Sequence, residues 1–222
     1  MSKNIAPVDV SHLHVFDADG AIQEAAANVK TAVSRRGLLR NAGFVAGGAA
    51  ATTLFPATAF GKGFGPVDKS IMNFALTLEY LEAAFYARSL ENAGLTGELK
   101  RFATVVSGHE AAHVAFLKKT LGSSAVKRPK FDFGAATRSG SAFVATAIVL
   151  EDTGVQAYQG QAVHVRSDKL LAAALSVHPV EARHAAWIRY IDGQSPAPVA
   201  FNPSLEKGQV LAAVQSTGFI VG

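Results

Sequence analysis

Residues 107–114 read SGHEAAHV. The run His109-Glu110-Ala111-Ala112-His113 has the form H-E-x-x-H, in which two histidines on one helical face hold zinc and the glutamate acts as a base. It also contains the shorter unit Glu110-x-x-His113, and that unit recurs at Glu181 and His184, with Val180 where His109 would stand. Each unit follows a lone glutamate in apolar surroundings. Leu76-Thr77-Leu78 leads to Glu79, with Tyr86 seven residues on; Ile148-Val149-Leu150 leads to Glu151, with Tyr158 seven residues on. The step from Glu79 to Glu110 is 31 residues, and from Glu151 to Glu181 it is 30.

Residues three apart on a helix share a face, so Glu110 and His113 can point inward together, as can Glu181 and His184. With Glu79 and Glu151, four carboxylates and two imidazoles would meet in an apolar interior. Unpaired carboxylates are very costly to bury. Two divalent cations would neutralise them, and mixed oxygen and nitrogen donors suit iron or manganese. A zinc protease would instead need His109 and His113 on one metal, Glu110 free, and a third ligand downstream. That reading leaves the Glu181-x-x-His184 repeat unexplained.

Four helical runs carry these residues. Residues 68–92 keep a helical period, with Asp68 placed to cap the start and Gly94 beyond the end. Residues 97–121 form the second run, closed by Gly122. Residues 139–166 form the third; AFVATAIVL alone would also suit a strand, but its length and lack of alternation favour helix. Asp168 caps a fourth run, 169–191, which contains Pro179, where a kink is expected. Residues 204–217 suit a short amphipathic helix.

Short links make antiparallel pairs, and the seventeen residues 123–139 are long enough to cross a bundle. Glu79 lies fifteen residues before Gly94 and Glu110 thirteen after Gly97, so both sit about 20 Å from the same turn at 1.5 Å per residue. The second pair matches about Ser167. The levels agree whether or not the long link crosses, so they do not choose between the two topologies.

Six positions in this order and spacing resemble the ferritin-like di-iron carboxylate proteins, in which one glutamate from each of two helices joins a Glu-x-x-His from each of the other two. LTLEYLEAAFY and VEARHAAW are most similar to the bacterial ferritin-like group related to plant desiccation-related proteins, over about residues 66–192. The resemblance implies an all-α fold of two antiparallel hairpins joined by a long crossover, plus a short C-terminal helix. It implies Glu79, Glu110, His113, Glu151, Glu181 and His184 as ligands of two Fe or Mn ions. It implies ferroxidase-like or catalase-like handling of oxygen or peroxide, or a non-catalytic role in desiccation or envelope stress. Assembly into an oligomer stays open.

Around these six stand residues with plainer alternatives. Glu82 is the repeat's match for Gly154 and competes with Glu79 as first-helix ligand; it is otherwise an outer or bridging carboxylate, or a solvated charge. Tyr86 and Tyr158 hydrogen-bond the ligand carboxylates or simply pack. His178 lies one turn before Glu181. His109 suits the surface or an interhelix hydrogen bond, and Trp187 the core.

The composition supports a packed domain: of 222 residues, 49% are hydrophobic and 17% charged, with a net charge of +4. Cysteine is absent, which removes disulfides, thiolate zinc, iron–sulfur clusters and thiol nucleophiles. Basic residues form no stripe with interleaved aromatics, so nucleic acid is not an expected partner. Residues 1–59 read as a leader: Ser34-Arg35-Arg36-Gly37-Leu38-Leu39-Arg40 resembles a twin-arginine signal, a mild Gly/Ala-rich apolar run follows, and Ala57-Thr58-Ala59 suits cleavage. A retained membrane helix is the competing reading, weakened by the glycines and Pro56. Export by the twin-arginine machinery would place residues 60–222, the four-helix domain and its C-terminal extension, in the periplasm or outside the cell. Such cargo travels folded, often with its cofactor already loaded.

Overall fold

The computed structural model describes residues 63–221; the leader expected at 1–59 lies outside them. Among the described residues there are five α-helices: α1 (Pro66–Asn92), α2 (Gly97–Leu121), α3 (Gly140–Ala162), α4 (Asp168–Ile191) and α5 (Lys207–Thr217). None is long and apolar enough to cross a membrane. Among the described residues the one strand-like feature is an antiparallel bridge between Phe131 and Ile220, which ties the C-terminal tail to the α2–α3 connection.

Several boundaries differ from expectation, each because a tertiary contact intervenes. Helix α1 starts at Pro66, whose missing N–H suits a first turn. Asp68 therefore lies inside the helix, and its buried Oδ1 accepts from the N–H of Arg166, 2.8 Å away. That contact draws residues 163–166 out of the third helical run, so α3 ends at Ala162 rather than Arg166. The cap of α4 is Ser167, whose hydroxyl accepts from the N–H of Leu170, and Asp168 is the first helical residue. Helix α4 continues through Pro179. Helix α5 starts at Lys207 rather than 204, fixed by a reciprocal capping pair between Glu206 and Gln209.

The packing is densest within the pairs α1–α2 and α3–α4; between pairs, α2 meets α4 and α1 meets α3. The start of α1 lies against the turn that follows α3 through Asp68 and Arg166. The end of α1 lies against the start of α3, where Phe85 stacks on Phe143 with centroids 5.5 Å apart. Helices α1 and α3 are therefore antiparallel, α2 and α3 run the same way, and the connection must traverse the bundle. It does so with short 3-10 turns at Gly122–Ser124 and Gly134–Thr137. The spacing left the two topologies level; these contacts select the crossover.

The core has two apolar clusters. One gathers Phe85, Tyr86, Phe102, Phe143 and Ile188; the other gathers Met72, Leu76, Tyr80, Leu117 and Leu170. Along α2, Glu110 and His113 fall between the two, after Phe102 and Val106 and before Leu117 and Leu121. The segment leading into α5 covers α3 at Gly160, where an added Cβ would come 2.1 Å from the carbonyl oxygen of Leu205. Only glycine permits that approach, which the bond from Leu205 N–H to the Gln156 carbonyl holds at 3.2 Å.

Candidate metal centre

All six sequence-selected residues converge at mid-bundle. Glu79, Glu110 and Glu151 are fully buried, and Glu181 and His184 are nearly so. His113 keeps 13% of its side chain exposed. The ligand-type atoms form two groups, each within 4.8 Å: Glu79, Glu110, His113 and Glu181, and Glu110, Glu151, Glu181 and His184.

The two groups share their middle members. Glu110 turns Oε2 to His113 Nδ1 and Oε1 to His184 Nδ1, both at 3.3 Å. Glu181 turns Oε1 to His113 Nδ1 at 3.0 Å and Oε2 to His184 Nδ1 at 3.2 Å. Glu79 Oε2 completes the first group, 3.2 Å from His113 Nδ1, and Glu151 Oε2 the second, 3.2 Å from His184 Nδ1. Three carboxylate oxygens therefore surround each imidazole nitrogen. One N–H can serve only one of them well, and Glu110 Oε1, Glu151 Oε2 and Glu181 Oε1 are left buried without a hydrogen bond. A divalent cation accepts several such donors at once, so this donor set fits metal binding, with Glu110 and Glu181 belonging to both groups.

The tyrosines clasp the cluster crosswise. Tyr158 on α3 donates to Glu79 Oε1 on α1 at 2.5 Å, and Tyr86 on α1 donates to Glu151 Oε1 on α3. Each holds the oxygen its carboxylate does not present to an imidazole. Burial, with the facing glutamate, raises both phenols well above their ordinary range, so both stay protonated donors.

Electrostatics reflect the crowding of acids. Burial pushes Glu110 well above the usual carboxylate range, reinforced by Glu181. Glu151 is raised by burial, with His184 opposing. Glu181 goes the other way, to about 2, because hydrogen bonds from His113 and His184 outweigh its burial. Burial alone would lower the two histidines. The surrounding carboxylates instead hold His113 well above its usual range and push His184 up to about 12. Protons and metal ions thus compete for the same atoms.

The remaining candidates fall into place around this cluster. Glu82 is buried, only 4% exposed, and sits in neither group; burial and the charges of Glu110, Glu151, Glu181 and Glu79 raise it well above its usual range. Of the two α1 glutamates, Glu79 faces an imidazole. His109 also belongs to neither group: its Nδ1 lies 2.8 Å from His184 Nε2, with the rings stacked at 5.1 Å. His184 directs Nδ1 at carboxylates, so its Nε2–H donates to His109 Nδ1, and burial lowers His109 toward the neutral form that accepts. The H-E-x-x-H string therefore does not close on one metal. His178 is half-buried, its Nε2 has no hydrogen-bond partner, and burial lowers it. Trp187 packs edge-on against Phe102 and donates to Glu98 at 3.1 Å. Sequence inspection had no signal for the Asp152–Arg189 ion pair, which joins α3 to α4 beside this layer.

An all-helical bundle with a buried carboxylate–histidine cluster able to hold metal defines a ferritin-like protein. Residues 67–194, more than half of the chain, match the ferritin-like domain, and the chain belongs to that family. No curated protein matches it.

Proposed function

We propose that this chain is an exported ferritin-like protein that binds two Fe or Mn ions and uses them to oxidise Fe(II) or to react with oxygen or peroxide. The observation that carries this reading is the sharing of Glu110 and Glu181 between two donor groups, each otherwise completed by its own glutamate and histidine. Glu79 and His113 would help hold one ion and Glu151 and His184 the other, with Glu110 and Glu181 available to both. The bound pair would supply a two-electron redox couple in a carboxylate-rich, low-dielectric setting that favours higher oxidation states. Tyr86 and Tyr158 orient the two terminal carboxylates, and His109 fixes the ring of His184. The carboxylates of the centre and His184 are almost wholly buried, which limits the access of water to them.

Elemental analysis of the purified protein tests this directly. About two Fe or Mn per chain is the expected result, whereas one zinc or no metal overturns it. Glu181→Ala should abolish metal binding here and would spare it in a zinc protease. The second reading, a non-catalytic desiccation or envelope-stress protein, rests on the resemblance of LTLEYLEAAFY and VEARHAAW. Full metal content without turnover of Fe(II), oxygen or peroxide would select it. The twin-arginine-type leader supports export to the periplasm or beyond; recovery of the protein only from the cytoplasm would refute that part.

A further inference from the structure

A cavity lies at the end of the bundle where α1 and α4 begin and α2 and α3 end. Met72 and Leu78 of α1, Leu117 of α2, and Leu170 and Val177 of α4 line it, and α3 contributes Ala157, Tyr158 and Gln161. The centre of a water-sized group can range over about 40 Å³ inside, more than a single water needs. Among the described residues that line it, only Tyr158 and Gln161 carry a side-chain oxygen or nitrogen, and none carries a charge.

Gln161 distinguishes this cavity from a packing gap. The residue is only 7% exposed, and its Nε2 has no hydrogen-bond partner. A leucine there would bury a similar volume without leaving a donor unpaired. Bound water answers the amide poorly, because a buried water needs about two to four polar partners and the Tyr158 hydroxyl already donates to Glu79 Oε1. A charged ligand finds no countercharge on these walls. The walls match a neutral molecule with an apolar body and one acceptor oxygen.

We infer that this cavity is a binding site for a small neutral carbonyl compound, whose oxygen accepts from Gln161 Nε2–H and whose hydrocarbon part packs among the leucines and valine. The site adjoins the metal centre through Tyr158, which lines the cavity and whose hydroxyl holds Glu79. No metal is needed to form it, so it stands apart from the di-metal reading.

The test is titration of the metal-depleted full chain with cyclopentanone and, in parallel, with cyclopentane, followed by NMR shifts of the Gln161 side-chain amide and of the methyl groups around it. The wild-type chain should bind cyclopentanone saturably, with the Gln161 amide among the resonances that move. Gln161→Leu removes the unpaired amide and should fold with a Tm at or above that of the wild type. It should weaken cyclopentanone by about 10-fold while leaving cyclopentane bound as well as before or better. Ala173→Leu, which fills the cavity, should abolish binding of both probes. Absence of saturable cyclopentanone binding to the wild-type chain would overturn the inference. An equal change for both probes in Gln161→Leu would overturn it too, since the amide would then play no part in choosing the ligand. The metal content of the loaded chain reports on the di-metal reading separately.

Discussion

The middle layer of the bundle and the apolar clusters that flank it are equally buried and opposite in energetics. At Phe143, against Phe85, Tyr86 and Phe102, every buried atom removes apolar surface from water and gains contacts. At Glu79, Glu82, Glu110, Glu151 and Glu181, burial strips hydration from groups that prefer charge. Folding is therefore driven from the flanks, and the middle is tolerated because the flanks and the crossed tyrosines hold it. The two regions should respond differently to the same kind of perturbation.

The largest effect expected on stability is Phe143→Ala, a loss of about 3–5 kcal/mol in chemical denaturation. Metal content per folded chain should stay unchanged; a parallel loss of metal would break the separation. Glu110→Gln should do the reverse. Metal should bind at least about 100-fold more weakly, since Glu110 belongs to both donor groups, while the metal-depleted chain unfolds within about 1 kcal/mol of wild type. Gly160→Ala, far from the acids, should cost about 1–3 kcal/mol as Leu205 is pushed off α3, again with metal binding intact.

Acidity sharpens the contrast. His184, held at about 12 against an ordinary 6.5, contributes stability that is complete below pH 6.5 and is lost as pH rises toward 12. Glu110, raised by burial, works in the same direction. Glu181, lowered from 4.5 to about 2, contributes stability lost as pH falls below 4.5. The metal-depleted chain should thus be most stable near pH 4.5, since Glu181 loses its contribution below that value and the raised Glu82, Glu110 and Glu151 lose theirs above it, with His184 following above 6.5. Metal must displace the histidine protons, so the rise in Tm on adding Mn(II) should grow from pH 6 to 8; a constant rise in differential scanning would contradict this. The smallest effect is expected for Tyr158→Phe, about 1 kcal/mol of stability and a modest loss of affinity at the Glu79 position only.

Much of this was legible in the chain. The helices and the six converging side chains follow from periodicity and from Glu-x-x-His read twice, because i, i+3 geometry is local. The ambiguities were of another kind. Glu79 and Glu82 share a helix face, and only the neighbours on α2, α3 and α4 set one against an imidazole and the other against Gly154. Asp68 and Asp168 each suit a helix start, yet a backbone N–H nearly a hundred residues away claims Asp68, and Ser167 takes the cap of α4. The crossover topology had equal levels either way until Phe85 met Phe143.

By itself the sequence determined an all-helical chain, two like halves, and which side chains could form a polar middle, since each depends on spacing within one helix or one hairpin. Tertiary structure decided how the halves face each other. It passed the tyrosines across the bundle to the opposite glutamates, gave each imidazole three oxygens, and turned His109 from a zinc-motif histidine into the partner of His184. Such pairings join residues 65 to 79 positions apart. They are fixed by antiparallel packing of whole helices, which no local pattern encodes.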